Sequence, residues 1–186
     1  MKIVAFLVFI LFVSLQSCRT TKPSGDQKEN MVVSESTTQT VNFAEQSTWL
    51  LGYFTLNRLY AEPHSSWFVK GYDSYNPDMA AINRLKEIPN SDIRIKIVLG
   101  TWCPDSRREV PRFFRVLDAI SFPKERVELI GTDDSKFSPI ENYESLNITR
   151  VPTFIVFRNN IEAGRIIENP VTSLEQDMQD ILSRSE

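Results

Sequence analysis

Residues 91–120, "SDIRIKIVLGTWCPDSRREVPRFFRVLDAI", constrain the fold more than any other stretch of this chain. Ile93, Ile95 and Ile97 alternate with polar neighbours before Val98 and Leu99 run on together, the pattern of a strand entering a core. Past Cys103 the period changes. Val110, Phe113, Leu117 and Ile120 fall on one face of a helix that begins at Pro104. A strand passing into a helix through only residues 100–103 is the repeating unit of layered α/β folds.

The flanking patterns extend this layout. Upstream, Trp49, Leu50, Tyr53, Phe54 and Leu56 have helix-compatible spacing interrupted by Gly52. "SSWFVKGYDSYNPD" gathers Trp67, Phe68, Tyr72 and Tyr75 on one side if helical, and "DMAAINRLKEI" is a short helix after Pro77. Downstream, "RVELIGTDD" reads as a strand, "SPIENYESLN" as a helix, and "TFIVFRNN" and "EAGRIIEN" as two strands joined by an Asn-Asn turn. The last segment, "SLEQDMQDILSR", is an amphipathic helix bearing Leu174, Met178, Ile181 and Leu182. Helix, strand, helix, strand, helix, strand, strand, helix predicts an α/β sandwich with parallel strands and an antiparallel edge pair.

The N-terminus is a separate problem. Lys2 precedes eleven uninterrupted apolar residues, Ile3 to Val13, too few for a membrane span and suited to a signal-peptide core. "LQSC", ending at Cys18, resembles a bacterial lipobox, with Gln16 a less usual filler. Residues 1–17 are then a lipoprotein signal peptide, Cys18 carries lipid, and the protein sits on a bacterial cell envelope facing the periplasm. Ordinary cleavage and an uncleaved anchor are the alternatives. Residues 18–42, rich in Ser, Thr and charge, bury too little to offset their ordering and read as a flexible tether. Residues 43–89 form an aromatic helical extension, and residues 90–186 the principal domain.

Composition excludes some chemistry. A net charge of −3 and a pI near 5.4 give no footprint for nucleic acid, whose binding rests on neutralising phosphates. With one histidine, and two cysteines of which Cys18 is committed to lipid, no zinc set of the usual four ligands, and no metal, is expected. No phosphate-binding glycine loop is present, so no cofactor is expected. Cys103 is left as a lone thiol in an oxidising compartment, unless it pairs with Cys18.

Three separated motifs give Cys103 a context. "TWCPDS" stands at the strand-to-helix junction, Pro111 lies eight residues beyond the cysteine, and "RVPTFIVFRNN…GR" follows downstream. In this order the chain resembles the thioredoxin superfamily over about residues 90–186. It is similar above all to Bacteroidetes-type extracytoplasmic thioredoxin-like proteins. The resemblance implies a central mixed sheet with helices on both faces, and a cis Pro152, between Val151 and Thr153, lining a partner groove beside the sulfur. It also marks two departures. Ser106 occupies the place of the resolving cysteine, and Ile97 the place of a buried proton-accepting aspartate.

The residues themselves agree. A cysteine at a helix N-terminus faces free backbone N–H groups and the positive end of the helix dipole, which favour the thiolate over an inert buried thiol. One sulfur can form a mixed disulfide and wait for an external thiol. The expected activity is therefore single-cysteine exchange, isomerisation or removal of thiol adducts, on thiol- or disulfide-bearing proteins and small thiols. Cys103 is the nucleophile, Trp102 and Pro104 frame it, and Ser106 donates to the thiolate. A non-catalytic binding or assembly module using the same groove is the alternative. Arg107 and Arg108 read as a solvated face, His64 as a loop residue, and Asp133 and Asp134 as a solvated loop.

Overall fold

The computed structural model describes residues 40–184. The signal peptide and Cys18 lie outside the described residues, as does the expected tether except for residues 40–42.

Five strands form one mixed sheet: β1 (Gly52–Phe54), β2 (Ile93–Leu99), β3 (Val127–Gly131), β4 (Thr153–Arg158) and β5 (Ile161–Ile167), in the order β1-β3-β2-β4-β5. β2 and β3 are parallel, and the other neighbours are antiparallel. The β4–β5 hairpin turns at Asn159 and Asn160, whose φ values of 51° and 64° are the left-handed pair that a two-residue turn matching strand twist requires. The helices are α1 (Asn57–Tyr60), α2 (Ser65–Ser74), α3 (Met79–Glu87), α4 (Pro104–Ala119) and α5 (Leu174–Arg184).

Two readings of the sequence are corrected here. The Trp49–Leu56 segment is not helical. Gly52 adopts φ 70°, outside the helical region, and β1 pairs with β3 at the sheet edge. Backbone pairing outweighs a weak apolar periodicity. The "SPIENYESLN" segment contains only a 3-10 turn, Tyr143–Leu146, bounded by Asn142 and Asn147 at φ 57° and 50°. Left-handed residues at both ends stop a helix from growing.

That second difference changes the layering. Among the described residues, all five helices share one core cluster with Ile93, Ile95, Ile97 and Leu99 of β2 and with Leu129, Phe154, Val156 and Ile166. The opposite face carries a smaller cluster of Val98, Ile130, Cys103, Tyr143 and Val151, roofed by the 132–150 loop. Where the resemblance implies helices on both faces, the described residues place a loop on the second one. This also explains the alternation in β2. Arg94 and Lys96 face outward below the loop, while Val98 meets it. The apolar burial on both faces supplies the main stabilisation, at roughly 25 cal/mol per Å² of apolar surface.

Pro111 lies inside α4 and is fully packed. Gly71 of α2 approaches it so closely that a Cβ there would stand 2.6 Å from the Pro111 ring. The absence of a side chain at position 71 is what lets α2 lie against the site helix.

Candidate functional site

Cys103 is the N-cap of α4, in extended conformation at φ −78° and ψ 125°, with Pro104 at the first helical position. Its amide donates to Gly100 O at 2.9 Å, and its carbonyl accepts from Arg107 N at 3.1 Å. The N–H groups of Asp105 and Ser106 precede Arg107 N, the first to donate along the helix, and are the donors that a helix start leaves without an intrahelical acceptor. The thiol is free and only 7% exposed. It donates to Val151 O at 3.3 Å, within reach for sulfur. The Val151–Pro152 peptide is cis.

The structure therefore brings together Cys103, Val151 and Pro152 from the β2–α4 junction and the start of β4. Thr153 is buried beside them and donates to Arg150 O at 2.7 Å, tying down the chain ahead of the proline. Trp102 flanks the sulfur: its Nε1 donates to Thr132 O at 3.0 Å. Its ring lies over Gly100, where a Cβ would come within 2.5 Å. Pro104 is exposed on the other flank.

Ser106 does something other than expected. It is fully buried, and its Oγ accepts from Gly100 N at 3.2 Å, closing the loop that carries the cysteine. It is a loop brace, with no bond to the sulfur. Arg107 also departs from its solvated reading. One Nη donates to both Thr101 O at 2.9 Å and Trp102 O at 2.7 Å, and the guanidinium lies 4.8 Å from the Phe43 ring. Burial lowers it from its ordinary value, opposed by Cys103. Arg108, by contrast, is exposed and pairs with Asp105 at 2.7 Å and Glu109 at 2.6 Å. Ile97 is buried in the main core and carries no proton.

The residues that sequence reasoning missed lie upstream. Thr101 Oγ1 donates to Thr48 O at 3.2 Å and accepts from Leu50 N at 3.2 Å, so the segment before β1 is clasped to the cysteine loop. Trp49 packs on Trp102 with ring centres 6.2 Å apart. No local signal announces this. The contacts span about fifty residues of chain.

His64 is buried rather than in an open loop, 5.9 Å from the rings of both Phe43 and Trp67, and its Nδ1 has no hydrogen-bond partner. Burial first, and Arg58 second, lower its pKa from the ordinary 6.5. The folded state thus prefers neutral His64, whereas the unfolded chain takes up a proton as pH falls through 6.5. Stability is expected to decline from pH 7 to pH 5, by at most about 1.4 kcal/mol per pH unit for this one proton. Urea denaturation at pH 7, 6 and 5 measures it, and His64→Asn flattens the decline. Equal pH dependence in both proteins would refute this account.

No protein-family profile matches the chain, and no curated protein matches it. Among solved structures it is similar to PA1234, a protein of unknown function from Pseudomonas aeruginosa, at 16% identity and a TM-score of 0.48, over 66% of this chain and 84% of that one. It is likewise similar to an HIV epitope-scaffold at 17% identity and a TM-score of 0.47, over 66% of this chain and 84% of the scaffold.

Proposed function

We propose that this chain is a thioredoxin-like protein that performs thiol–disulfide exchange with one cysteine. The strand order β3-β2-β4-β5, with the cysteine at the β2–α4 junction and a cis proline opening β4, supports that architecture. The observation that carries the activity is the 3.3 Å approach of Cys103 Sγ to Val151 O, which sets the sulfur of the helix's N-cap residue against the backbone beside Pro152.

The chemistry is balanced without a cofactor. The Cys103 thiolate attacks one sulfur of a disulfide, the new S–S bond forms as the old one breaks, and the departing thiolate takes the electron pair. A thiolate has no proton for Val151 O, so ionisation frees the sulfur to turn toward its target. With Ser106 in place of a second sulfur, release requires an incoming thiol, which takes over the bound group and returns Cys103 as thiolate. The exchange is neutral in electrons. Isomerisation and removal of thiol adducts follow from the same two steps. In this reading the domain works on the bacterial cell envelope, lipid-anchored through Cys18, on thiol- or disulfide-bearing proteins and small thiols.

Mass spectrometry after incubation with a small symmetric disulfide tests it. One half-disulfide adduct on the Cys103 peptide, discharged by added thiol, is expected. The 7% exposure of Cys103 favours a second reading, a binding module with an idle thiol. That reading gains if no adduct forms and Cys103→Ala retains partner capture.

A further inference from the structure

We propose that the Cys103 groove selects small thiols and disulfides carrying a carboxylate close to the sulfur, and that Lys136 is the residue that selects them. The inference rests on the exchange activity proposed above and adds its substrate class.

The groove is a cavity of about 370 Å³ lined by Cys103, Trp102, Val151, Lys136, Arg150 and Glu168. That volume is within the usual range for small-molecule sites. Three of these side chains carry charge. Arg150 and Glu168 pair with each other at 2.7 Å and cancel. Lys136 has no carboxylate within ion-pair distance among the described residues, so of the charged side chains lining the groove it is the one outside an ion pair.

The backbone of Lys136 is fixed in place. It adopts φ 67°, an uncommon conformation for a lysine, at the tip of a tight turn after β3. Asp133 N donates to Phe137 O at 2.9 Å and Lys136 N to Asp133 O at 3.0 Å. Tyr143 Oη donates to Lys136 O at 2.7 Å. Burial pushes the Tyr143 phenol up to about 12, so it remains a donor at neutral pH. Asp133, the acidic group that feels Lys136, spends one carboxylate oxygen on Phe137 N at 2.8 Å and Ser135 Oγ at 2.6 Å. Asp134 is exposed in the same turn. Glu168, which also lines the groove, is left-handed at φ 57°, and its amide donates to Pro152 O at 2.7 Å, which ties the backbone of the neutralising pair to the cis proline.

In the mixed disulfide, the substrate sulfur is bonded to Cys103 and its first carbons fill the groove. A carboxylate one or two carbons from that sulfur then lies on the Lys136 rim and accepts charge-assisted hydrogen bonds from the ammonium. A neutral amide gains less, and an ammonium is repelled. The discharged thiolate leaves as in the parent reaction, so the selection adds no redox step.

Exchange rates with the symmetric disulfides of 3-mercaptopropionate, its amide, and cysteamine test the proposal. Each is divided by the rate of the same disulfide with a free reference thiol. The normalised order should be carboxylate, amide, amine, with about a threefold advantage for carboxylate over amide that fades near 1 M salt. Lys136→Gln should bring the carboxylate-to-amide ratio to about one, and Lys136→Arg should keep it. Glu168→Gln, which unpairs Arg150, should raise it. If no disulfide reacts, the exchange reading itself fails. If all three react with no charge preference, or if Lys136→Gln leaves the ratio intact, the selection is overturned and the exchange reading stands.

Discussion

Replacement of Arg107 by alanine is expected to slow Cys103 exchange about tenfold, since small misplacements of a reacting group cost at least that much. It should also lower stability by about 3 kcal/mol. The cause is local. Arg107 Nη1 satisfies the carbonyls of Thr101 and Trp102, the two residues leading into the sulfur, at 2.9 and 2.7 Å. Hydrogen bonds from a charged donor contribute about 1.5–3 kcal/mol, and the Phe43 ring beneath the guanidinium adds about 0.5–1 kcal/mol. Alanine leaves both carbonyls without this donor, lets the loop relax, and frees Phe43 from the site. Arg107→Lys should recover part of the loss, because an ammonium donates to carbonyls but lacks the planar stacking surface. Stopped-flow exchange kinetics and urea denaturation measure the two effects. An alanine variant with full rate and an unshifted midpoint would mean that Ser106 and the Thr101 clasp hold the loop alone.

The residues that bring the sulfur and the proline together were legible in the sequence; the support around them was not. Cys103, Pro104 and the β2–α4 junction follow from a change of period at one point in the chain, and the hairpin from an Asn-Asn turn between apolar runs. Those signals are local. Arg107 was misread because a helix pattern places it on the polar face. Its side chain instead folds back over the helix start to carbonyls five and six residues earlier. The 138–147 segment differs for a related reason: its apolar residues Ile140, Tyr143 and Leu146 roof the second cluster, and their spacing imitates a helix. The left-handed asparagines that terminate it carry a weak sequence signal. The Trp49–Leu56 segment departs from its helical pattern because its partners, Thr101 and β3, lie fifty or more residues away.

Gly131→Ala is expected to cost about 3 kcal/mol or more, the upper end for overpacking, because the new atom meets backbone that cannot give way. A Cβ at position 131 would stand 1.9 Å from Leu50 O and 2.6 Å from Leu50 C. Leu50 in turn is held through its amide by Thr101 Oγ1 at 3.2 Å, two residues before Cys103. Relief therefore requires either opening the β1–β3 pairing, which includes Gly52 opposite Gly131, or dragging the clasp away from the cysteine loop. Gly164→Ala provides the contrast. Its Cβ would meet the Ile181 side chain at 3.0 Å, and a side chain can change rotamer where a carbonyl cannot. Its cost should stay near 1 kcal/mol. Urea midpoints of the two variants separate these cases, and the Gly131 variant should also show altered Trp102 fluorescence, since Trp49 packs against that ring. Equal, small shifts in both would show that the upstream segment is not seated on β3 as described, and would detach it from the geometry of the thiol.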